Sequence, residues 1–340
     1  MSPCSGDHGP PHITVESAGV ATVQDLGRPG HGHQGISLNG ASDRWSAQVA
    51  NTLVGNPPGA PLLEVTGSSL TLGVDADVLV CVTGAESEPT VAGRPAPSWD
   101  PFVVQARASL VVPAPVHGLR TYVAFAGGLR ARTVLGSVAP DRMLGVGGHL
   151  GRGDEFTLAS CLCGWRHPYS DHPLLRLGAT RPTWTDRTVL GVTAGPELGE
   201  YDEVGLRGPW TVSAQSDAVG LRAEGPTPAR AGNAEILSRG VPVGAVEVPP
   251  SGGLLILLHG RLVTAGYPVP YVATTTALDR LGQVRPGEEL LLREIALSDA
   301  VTQGRVRRQR LSELARRTAT ALRTSGLGAL VGPGHLSETV

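Results

Sequence analysis

The residues best suited to chemistry lie in one glycine-rich stretch, residues 22–43. It carries a carboxylate at Asp25, a guanidinium at Arg28 and a second carboxylate at Asp43. An arginine fork can hold two oxygens of a phosphate or carboxylate at once, and glycines let the backbone turn sharply and present N–H groups. The stretch therefore predicts a loop that binds a small anion. An ordinary connection between a strand and a helix is the alternative.

Each of these side chains also has a structural interpretation. Arg28 can clamp a substrate, or it can fix the loop by pairing with Asp25, and Glu64 is a further hypothetical partner for it. Asp43 can act as a general base or cap the helix that follows it. His31, in the same loop, is interpreted together with His33 as a surface residue.

A second set of polar residues lies in G-R-L-V-T-A-G-Y-P, residues 260–268. Arg261 offers a further cation, and Tyr267 presents a phenol on a turn. A turn that serves only the fold is the alternative for Tyr267. If the chain brings these residues toward the glycine-rich stretch, the two sets form one cleft that an associated chain completes.

Short apolar runs predict the elements that must position these residues. From Ile13 onward, runs of strand-forming residues recur about every ten residues and end in Gly, Pro or Asp, a spacing typical of a barrel or a sandwich. A helix is predicted from Trp45 to Leu53. From Ser298 to about Thr324 the apolar residues follow helical spacings, which predicts an amphipathic helix that covers the barrel or reaches a partner.

These patterns divide the chain into successive segments. We predict a disordered N terminus (1–12), a first β-barrel unit with the glycine-rich loop (13–160), a crossing segment (161–186), a second β unit (187–297), the helix (298–325) and a tail (326–340).

Composition excludes several function classes. The 340 residues carry a formal net charge of -2, so nucleic acid is not an expected partner. All 28 cationic side chains are arginine, because the sequence has no lysine. That absence excludes a P-loop, a Schiff-base enzyme and a biotinylated lysine on this chain.

The setting predicted from the sequence is cytoplasmic. The first residues do not read as a secretory signal, and no apolar run approaches the length of a membrane span. The cysteine usage suits a reducing compartment. Cys161 and Cys163, with His167, match no common zinc spacing, so no metal site is expected.

Several blocks of this sequence together resemble the biotin-dependent carboxyltransferase family. The blocks are T-V-Q-D-L-G-R-P-G (22–30), G-A-S-D (40–43), A-N-T-L-V-G-N-P (50–57), L-E-V-T (63–66), A-G-G (126–128), L-G-S (135–137), S-D-A-V-G-L-R (216–222), E-I-L-S-R-G-V-P-V-G-A-V-E-V-P-P (235–250), G-R-L-V-T-A-G-Y-P (260–268) and V-R-P-G-E (284–288). The family pattern departs from this chain mainly at 260–268, where the usual acid, glutamine and one glycine are missing.

The resemblance implies a mainly β, cyclophilin-like barrel architecture. It also implies the C component of an enzyme that acts with subunits A and B, uses ATP held somewhere in the complex, and opens 5-oxo-L-proline to L-glutamate. One alternative is a carboxyltransferase component that moves a carboxyl group from biotin on a separate carrier to urea or another amide. A second alternative is a KipA-like regulatory protein that sequesters a partner.

The resemblance and the residue types together give the predicted site. The predicted catalytic residues are Asp25, Arg28, Asp43, Arg261 and Tyr267. The predicted substrate-binding residues are Gln24, Gly27, Gly40, Asn51, Glu64, Asp217, Arg222, Thr264 and Gly266.

Overall fold

The structure is a computed structural model. It describes residues 10–160, 162, 165, 175–185, 187–226, 228–232 and 235–330. Most of the predicted disordered N terminus and of the predicted tail lies outside the described residues, and so does half of the crossing segment, including Cys161, Cys163 and His167.

The first half of the chain forms two sheets and one α-helix, α1 (Arg44–Leu53). Its strands are β1 (His12–Ala18), β2 (Ala21–Gln24), β3 (Leu62–Thr66), β4 (Leu70–Val74), β5 (Val78–Glu86), β6 (Thr90–Val91), β7 (Arg94–Pro95), β8 (Phe102–Val104), β9 (Ser109–Val112), β10 (His117–Phe125), β11 (Leu129–Arg130) and β12 (Glu155–Leu158). The seven-stranded sheet has the order β11-β12-β1-β4-β9-β6-β7, and the five-stranded sheet has the order β2-β3-β10-β5-β8.

The five-stranded sheet is buried on both faces. Strand β5 reads V-L-V-C-V, and alternate residues of a strand point to opposite faces. Val78, Val80 and Val82 join the core between the two sheets, whereas Leu79 and Cys81 join a second core on the side of α1. A continuous apolar run is therefore explained by two separate cores.

The second half closes into a barrel in the order β13-β20-β17-β18-β15-β14-β21. Its strands are β13 (Arg187–Ala194), β14 (Trp210–Val212), β15 (Gly220–Glu224), β16 (Arg239–Gly240), β17 (Ala245–Glu247), β18 (Leu254–Leu257), β19 (Thr264–Ala265), β20 (Tyr271–Ala273) and β21 (Glu289–Glu294). Strands β13 and β21 pair in parallel, with Leu190 opposite Leu292. Strands β16 and β19 form a separate two-stranded ribbon.

The prediction of a mainly β, barrel-based fold is confirmed, but within the described residues the closed barrel is formed by the second half. The first half, predicted as a barrel, consists of two stacked sheets instead. The physical reason is that the outer face of the five-stranded sheet is apolar and is covered by helices. Alternation within a short strand gives no signal that separates a closed barrel from a stacked pair of sheets.

Three further α-helices follow in the second half. They are α2 (Glu203–Arg207), α3 (Thr275–Leu281) and α4 (Leu297–Thr324). The predicted C-terminal helix is thus confirmed as α4. Its second half buries Leu314, Ala315, Thr318, Ala319 and Leu322, and it packs on α1 of the first half.

Among the residues the structure describes, no helix has both the length and the apolar character needed to cross a bilayer. The same residues contain no cluster of three or more His, Cys, Asp or Glu side chains that could hold a metal ion.

Candidate functional site

The carboxylate of Asp25 joins the glycine-rich loop to the L-G-S block. It accepts hydrogen bonds from Gly27 N (2.7 Å), Ser137 Oγ (2.6 Å) and Val138 N (2.8 Å). Only 8% of Asp25 is exposed. Through these three hydrogen bonds, Asp25 fixes two segments that are 112 residues apart in sequence.

Arg28 is enclosed in the same place, with 1% of its surface exposed. Its guanidinium pairs with Asp141 (Nη1 to Oδ2, 3.2 Å) and donates to the carbonyl groups of Ala139 and Val134. The predicted partners Asp25 and Glu64 are therefore wrong, and the cation of Arg28 points away from solvent. Asp141 lies outside the recognised sequence blocks, 113 residues further along the chain, so no local pattern indicated this pair.

Asp43 is the N-terminal cap of α1. It accepts hydrogen bonds from Ser46 N (3.0 Å) and Ser46 Oγ (2.5 Å), and from Gln283 Nε2 (2.7 Å) in the second half of the chain. Burial raises the pKa of Asp43, and the bonds from Ser46 and Gln283 oppose that rise. The helix-cap alternative describes how the structure uses this carboxylate.

Glu64 lies beside this cap. Its carboxylate accepts hydrogen bonds from Ser42 N (2.9 Å) and from the Tyr122 hydroxyl (2.8 Å), and its neighbouring cation is Arg120 at 3.6 Å. The Tyr122 oxygen also accepts from Asp43 N (2.8 Å). Burial, together with the charge of Glu64, raises the pKa of Tyr122 well above its ordinary value. Glu64 therefore orders the start of α1.

The predicted glycines Gly27 and Gly40 are needed for close backbone packing. Both have positive φ, +82° and +89°. A Cβ atom on Gly27 would lie 2.2 Å from the Leu38 carbonyl oxygen, and one on Gly40 would lie 2.5 Å from Gly27 N. Only glycine allows the two arms of the loop to approach this closely.

Asn51 and Gln24 are also used inside the fold. Asn51 is fully buried in α1, donates to the Ala60 carbonyl (2.8 Å) and accepts from Asn56 Nδ2 (3.0 Å). Gln24 donates to Thr22 Oγ1 (3.1 Å), and its Oε1 atom is buried with no hydrogen bond to the described residues. Asn51 therefore supports the loop that ends the helix.

The glycine-rich loop reaches the second half of the chain at the 259–261 turn. Asn39 N donates to the His259 carbonyl (2.8 Å), and Ser37 Oγ donates to the Arg261 carbonyl (2.6 Å). Gly260 N in turn donates to Ala218 O (3.0 Å), which adds the 216–222 block. The Ser37–Asn39 arm of the loop therefore contacts the 259–261 turn, whereas the side chains of Asp25 and Arg28 bind the 134–141 segment.

Arg261 is half-buried at this junction. Its Nε and Nη2 atoms donate to the carbonyl oxygen of Val241, at 3.0 and 2.8 Å. Burial lowers the pKa of Arg261. Its guanidinium is the predicted catalytic cation that retains access to solvent, since Arg28 is enclosed.

His259 was missed by the sequence analysis, although it sits immediately before the 260–268 block. It is 8% exposed. Burial lowers the pKa of His259 to about 3, and the charges of Arg44 and Arg261 act in the same direction. The ring is therefore neutral near pH 7. A lone histidine at the end of an apolar strand was the available signal.

The remaining predicted residues of the second half are at the surface. Tyr267 is 40% exposed, and Thr264 and Arg222 are exposed. The carboxylate of the exposed Asp217 accepts from Val219 N (2.8 Å) and Gly220 N (3.1 Å) within its own turn. A Cβ atom on Gly266 would lie 3.1 Å from the carbonyl oxygen of Ile236.

Glu247 is a second titratable residue that the sequence analysis missed. It lies on β17, is 1% exposed, and its Oε1 atom has no hydrogen bond to the described residues. Burial raises the pKa of Glu247 to about 7, and the charge of Arg239 opposes that rise. A carboxyl group with a pKa near neutrality can exchange a proton under physiological conditions.

A cavity of about 480 Å³ lies against the Asp25–Arg28 loop. One wall is formed by Ser137, Val138 and Ala139, the residues that bind Asp25 and Arg28 from the other side. Glycines of the 145–148 segment form another wall. The volume falls in the range of small-molecule sites. Asp25 and Arg28 hold the wall of this cavity in place but do not line it.

Gln283 joins the two halves of the molecule near Asp43. Its side-chain oxygen accepts from Leu119 N (3.0 Å) and Arg120 N (2.9 Å). Its Nε2 atom donates to Asp43 (2.7 Å) and to Arg120 O (2.9 Å). All four hydrogen-bonding positions of this buried amide are satisfied across the boundary.

Comparison with known proteins gives a consistent result. A family model described as "Carboxyltransferase domain, subdomain A and B" matches residues 34–294. The chain is 31% identical over 298 residues to the C component of the 5-oxoprolinase of Escherichia coli (strain K12), covering 85% of this chain and 93% of that protein. It is 29% identical over 316 residues to a putative urea carboxylase of Emericella nidulans, covering 85% of this chain and 24% of that protein.

A solved structure shows the same fold. The crystal structure of the Kluyveromyces lactis urea amidolyase superposes with a TM-score of 0.82 at 22% identity, over 91% of this chain and 20% of that chain. The two halves described above therefore have the fold of the matching part of that protein.

Proposed function

The chain belongs to the family of carboxyltransferase domains with subdomains A and B, and on that premise we propose that it is the C component of an ATP-dependent 5-oxoprolinase. The observation that carries the proposal is the 31% identity to the corresponding E. coli 5-oxoprolinase component over 93% of that protein. The enzyme would open 5-oxo-L-proline to L-glutamate with subunits A and B, in the cytoplasm, where ATP is available.

The chemistry sets what the complex must supply. A lactam is stabilised by resonance, so ATP, where the complex binds it, would supply the phosphoryl group that activates the lactam oxygen. The developing negative charge needs preorganised donors. This chain has no lysine, and the donors of Arg28 are used inside the fold. The glycine-rich loop therefore does not fit a triphosphate, and we assign no step to ATP here.

Within the complex, the exposed residues of the second half are the groups this chain can offer. Arg261 is only partly buried, and Tyr267 and Thr264 are exposed on the same segment. We propose that an associated protein packs over this segment and the 216–222 turn, completing the site. The buried set around Asp25 and Arg28 would hold the loops in position for that contact.

The direct test is glutamate release from 5-oxoproline with ATP. The chain alone is expected to be inactive, and the chain mixed with its A and B subunits is expected to release glutamate. Size-exclusion chromatography would show that the three proteins assemble. An assembled complex that releases no glutamate from 5-oxoproline would falsify the proposal.

A second function is favoured by the urea carboxylase likeness, which spans 85% of this chain. In that case the chain would transfer a carboxyl group from biotin on a separate carrier to urea or another amide. Because this chain has no lysine to carry biotin, the carrier must be another polypeptide. Carrier-dependent loss of labelled carboxyl from carboxybiotin, stimulated by urea, would distinguish this activity from 5-oxoproline hydrolysis.

A further inference from the structure

A cleft of about 640 Å³ lies between the start of α1, helices α3 and α4, and residues 180–184. This volume suits a small molecule. Its α4 wall, from Thr302 to Arg310, lies beyond residue 294, where the family match ends. The cleft is separate from the cavity beside the Asp25–Arg28 loop, with which it shares no lining residue.

The acidic residues of the cleft are already paired. Asp279 accepts from Arg307 Nε (2.9 Å) and Arg307 Nη2 (3.2 Å), and from Trp45 N (3.1 Å). The Arg307 guanidinium also lies over the Trp45 ring, 5.3 Å from its centre. Asp43, the other acid in the lining, caps α1 as described above. The Arg307–Asp279 pair and the Asp43 cap are therefore held in place by hydrogen bonds within the protein.

Three other arginines line the cleft, and each retains donors. Arg181 donates from Nη2 to the Ser98 carbonyl (2.6 Å) and lies 4.0 Å from Asp100. Arg280 uses one nitrogen, Nη1, on the Thr183 carbonyl (2.8 Å). Arg310 makes no hydrogen bond or ion pair with any residue that the structure describes, and it is exposed at the rim. Both acids among the described lining residues are hydrogen-bonded within the protein. Arg280 and Arg310, together with Arg181, therefore give the described part of the cleft a net positive character.

The remaining walls are apolar. Two indole side chains, Trp45 and Trp184, line the cleft, and Pro182 and Val306 add apolar surface. Val306 is 40% exposed although it lies on an amphipathic helix. An apolar wall beside free guanidinium groups suits a ligand with an anionic head and an apolar body.

We propose that this cleft is a second ligand site, which binds a small organic anion. Its carboxylate or phosphate group is held by Arg280 and Arg310, and its apolar or aromatic body lies against Trp45 and Trp184. The site does not depend on the function proposed above, because none of these four residues is among the groups offered to 5-oxoproline or to an associated protein.

The test is calorimetric titration of the full chain with phenyl phosphate, with benzyl alcohol as the neutral counterpart. We expect phenyl phosphate to bind and benzyl alcohol not to bind. Arg280→Gln and Arg310→Gln should each weaken binding roughly tenfold or more, as expected for a charge-assisted hydrogen bond. The matched control is Arg308→Gln, an exposed arginine of the same helix outside the cleft, which should leave binding unchanged.

Three results would overturn the proposal. They are no phenyl phosphate binding at millimolar concentration, equal binding of benzyl alcohol, and an equal loss of binding in Arg308→Gln. Melting temperatures of all variants, measured without ligand, show that each one is folded.

The apolar wall has its own test with Trp184. Trp184→Ala is expected to weaken phenyl phosphate at least fivefold and to leave inorganic phosphate unchanged, whereas Trp184→Phe should retain most of the phenyl phosphate affinity. An equal change for both anions would contradict a role for the indole in holding the ligand body.

Discussion

The glycine-rich loop and the cleft beside the C-terminal helix are built from the same residue types but use them differently. In the loop, the side chains of Arg28 and Asp25 are buried and form hydrogen bonds with other residues of the fold. In the cleft, Arg307 and Asp279 pair in the same way, but Arg280 and Arg310 keep donors free. An arginine near an aspartate therefore indicates a ligand site only when the arginine keeps N–H donors that are not hydrogen-bonded within the protein.

The largest effect that tests this difference is expected when Arg28 is removed. Arg28→Ala leaves Asp141 buried without its cation, so we expect the free energy of unfolding to fall by about 3–5 kcal/mol. Urea denaturation would measure the change. The control is Arg222→Ala, which removes an exposed arginine and should have little effect on stability.

The opposite result would restore a chemical role for Arg28. If Arg28→Ala kept its stability while the assembled complex lost glutamate release, the loop would be a substrate clamp after all. A double variant, Arg28→Ala with Asp141→Asn, should recover part of the lost stability, because it removes the unpaired charge.

The next largest effect is expected at the joint between the two halves. Gln283→Ala removes four hydrogen bonds. It takes the acceptor from the part-buried amides of Leu119 and Arg120 and one of three donors from Asp43. We expect a loss of about 2–4 kcal/mol in the free energy of unfolding. Gln105→Ala, an exposed glutamine of the first half, is the control.

Hydrogen exchange would sharpen the interpretation of that variant. Faster exchange confined to Leu119 and Arg120 would show that Gln283 holds the two halves together locally. Unchanged exchange at both amides would contradict its role as the joint.

A smaller, pH-dependent effect is expected at His259. Its folded pKa of about 3 lies below the ordinary value of 6.5, so the unfolded chain binds the proton more readily between these values. Stability should therefore fall as the pH drops below 6.5, by about 2 kcal/mol at pH 5. His259→Asn should flatten this part of the stability curve, as measured by denaturation at several pH values. A variant curve parallel to the wild-type curve would show that another group causes the loss.

The smallest effect on stability is expected at the exposed residue Tyr267. Tyr267→Ala removes a side chain that is 40% exposed, so the free energy of unfolding should change by less than about 0.5 kcal/mol. Glutamate release by the assembled complex should nevertheless fall if the partner covers this segment. Full activity together with normal assembly would remove Tyr267 from the proposed site, and Tyr267→Phe tests whether the hydroxyl itself matters.

Local sequence patterns predicted those features of the molecule that depend on residues close together in the sequence. The strand-rich fold, the C-terminal helix and the cap at Asp43 follow from alternation, helical spacing and a capping residue before α1. The need for glycine at Gly27 and Gly40 belongs to the same class, since a glycine-rich loop already predicts sharp backbone turns.

The partners of the buried polar residues could not be read in this way. Asp141 lies outside every recognised block, and Gln283 lies one residue before one, yet they contact Arg28 and Asp43 across more than a hundred residues. Such contacts depend on how sheets stack, and no spacing rule specifies that. The stacked sheets of the first half were missed for the same reason.

The packing of α4 has a practical consequence for anyone who isolates this fold. Leu314 and Leu322 of α4 join the same apolar core as α1 and the outer face of the five-stranded sheet, and α4 packs on α1. A protein truncated at residue 294, where the family match stops, would lack α4 and expose the apolar surface that this helix covers. Such a fragment is expected to self-associate or precipitate even though it retains every recognised sequence block.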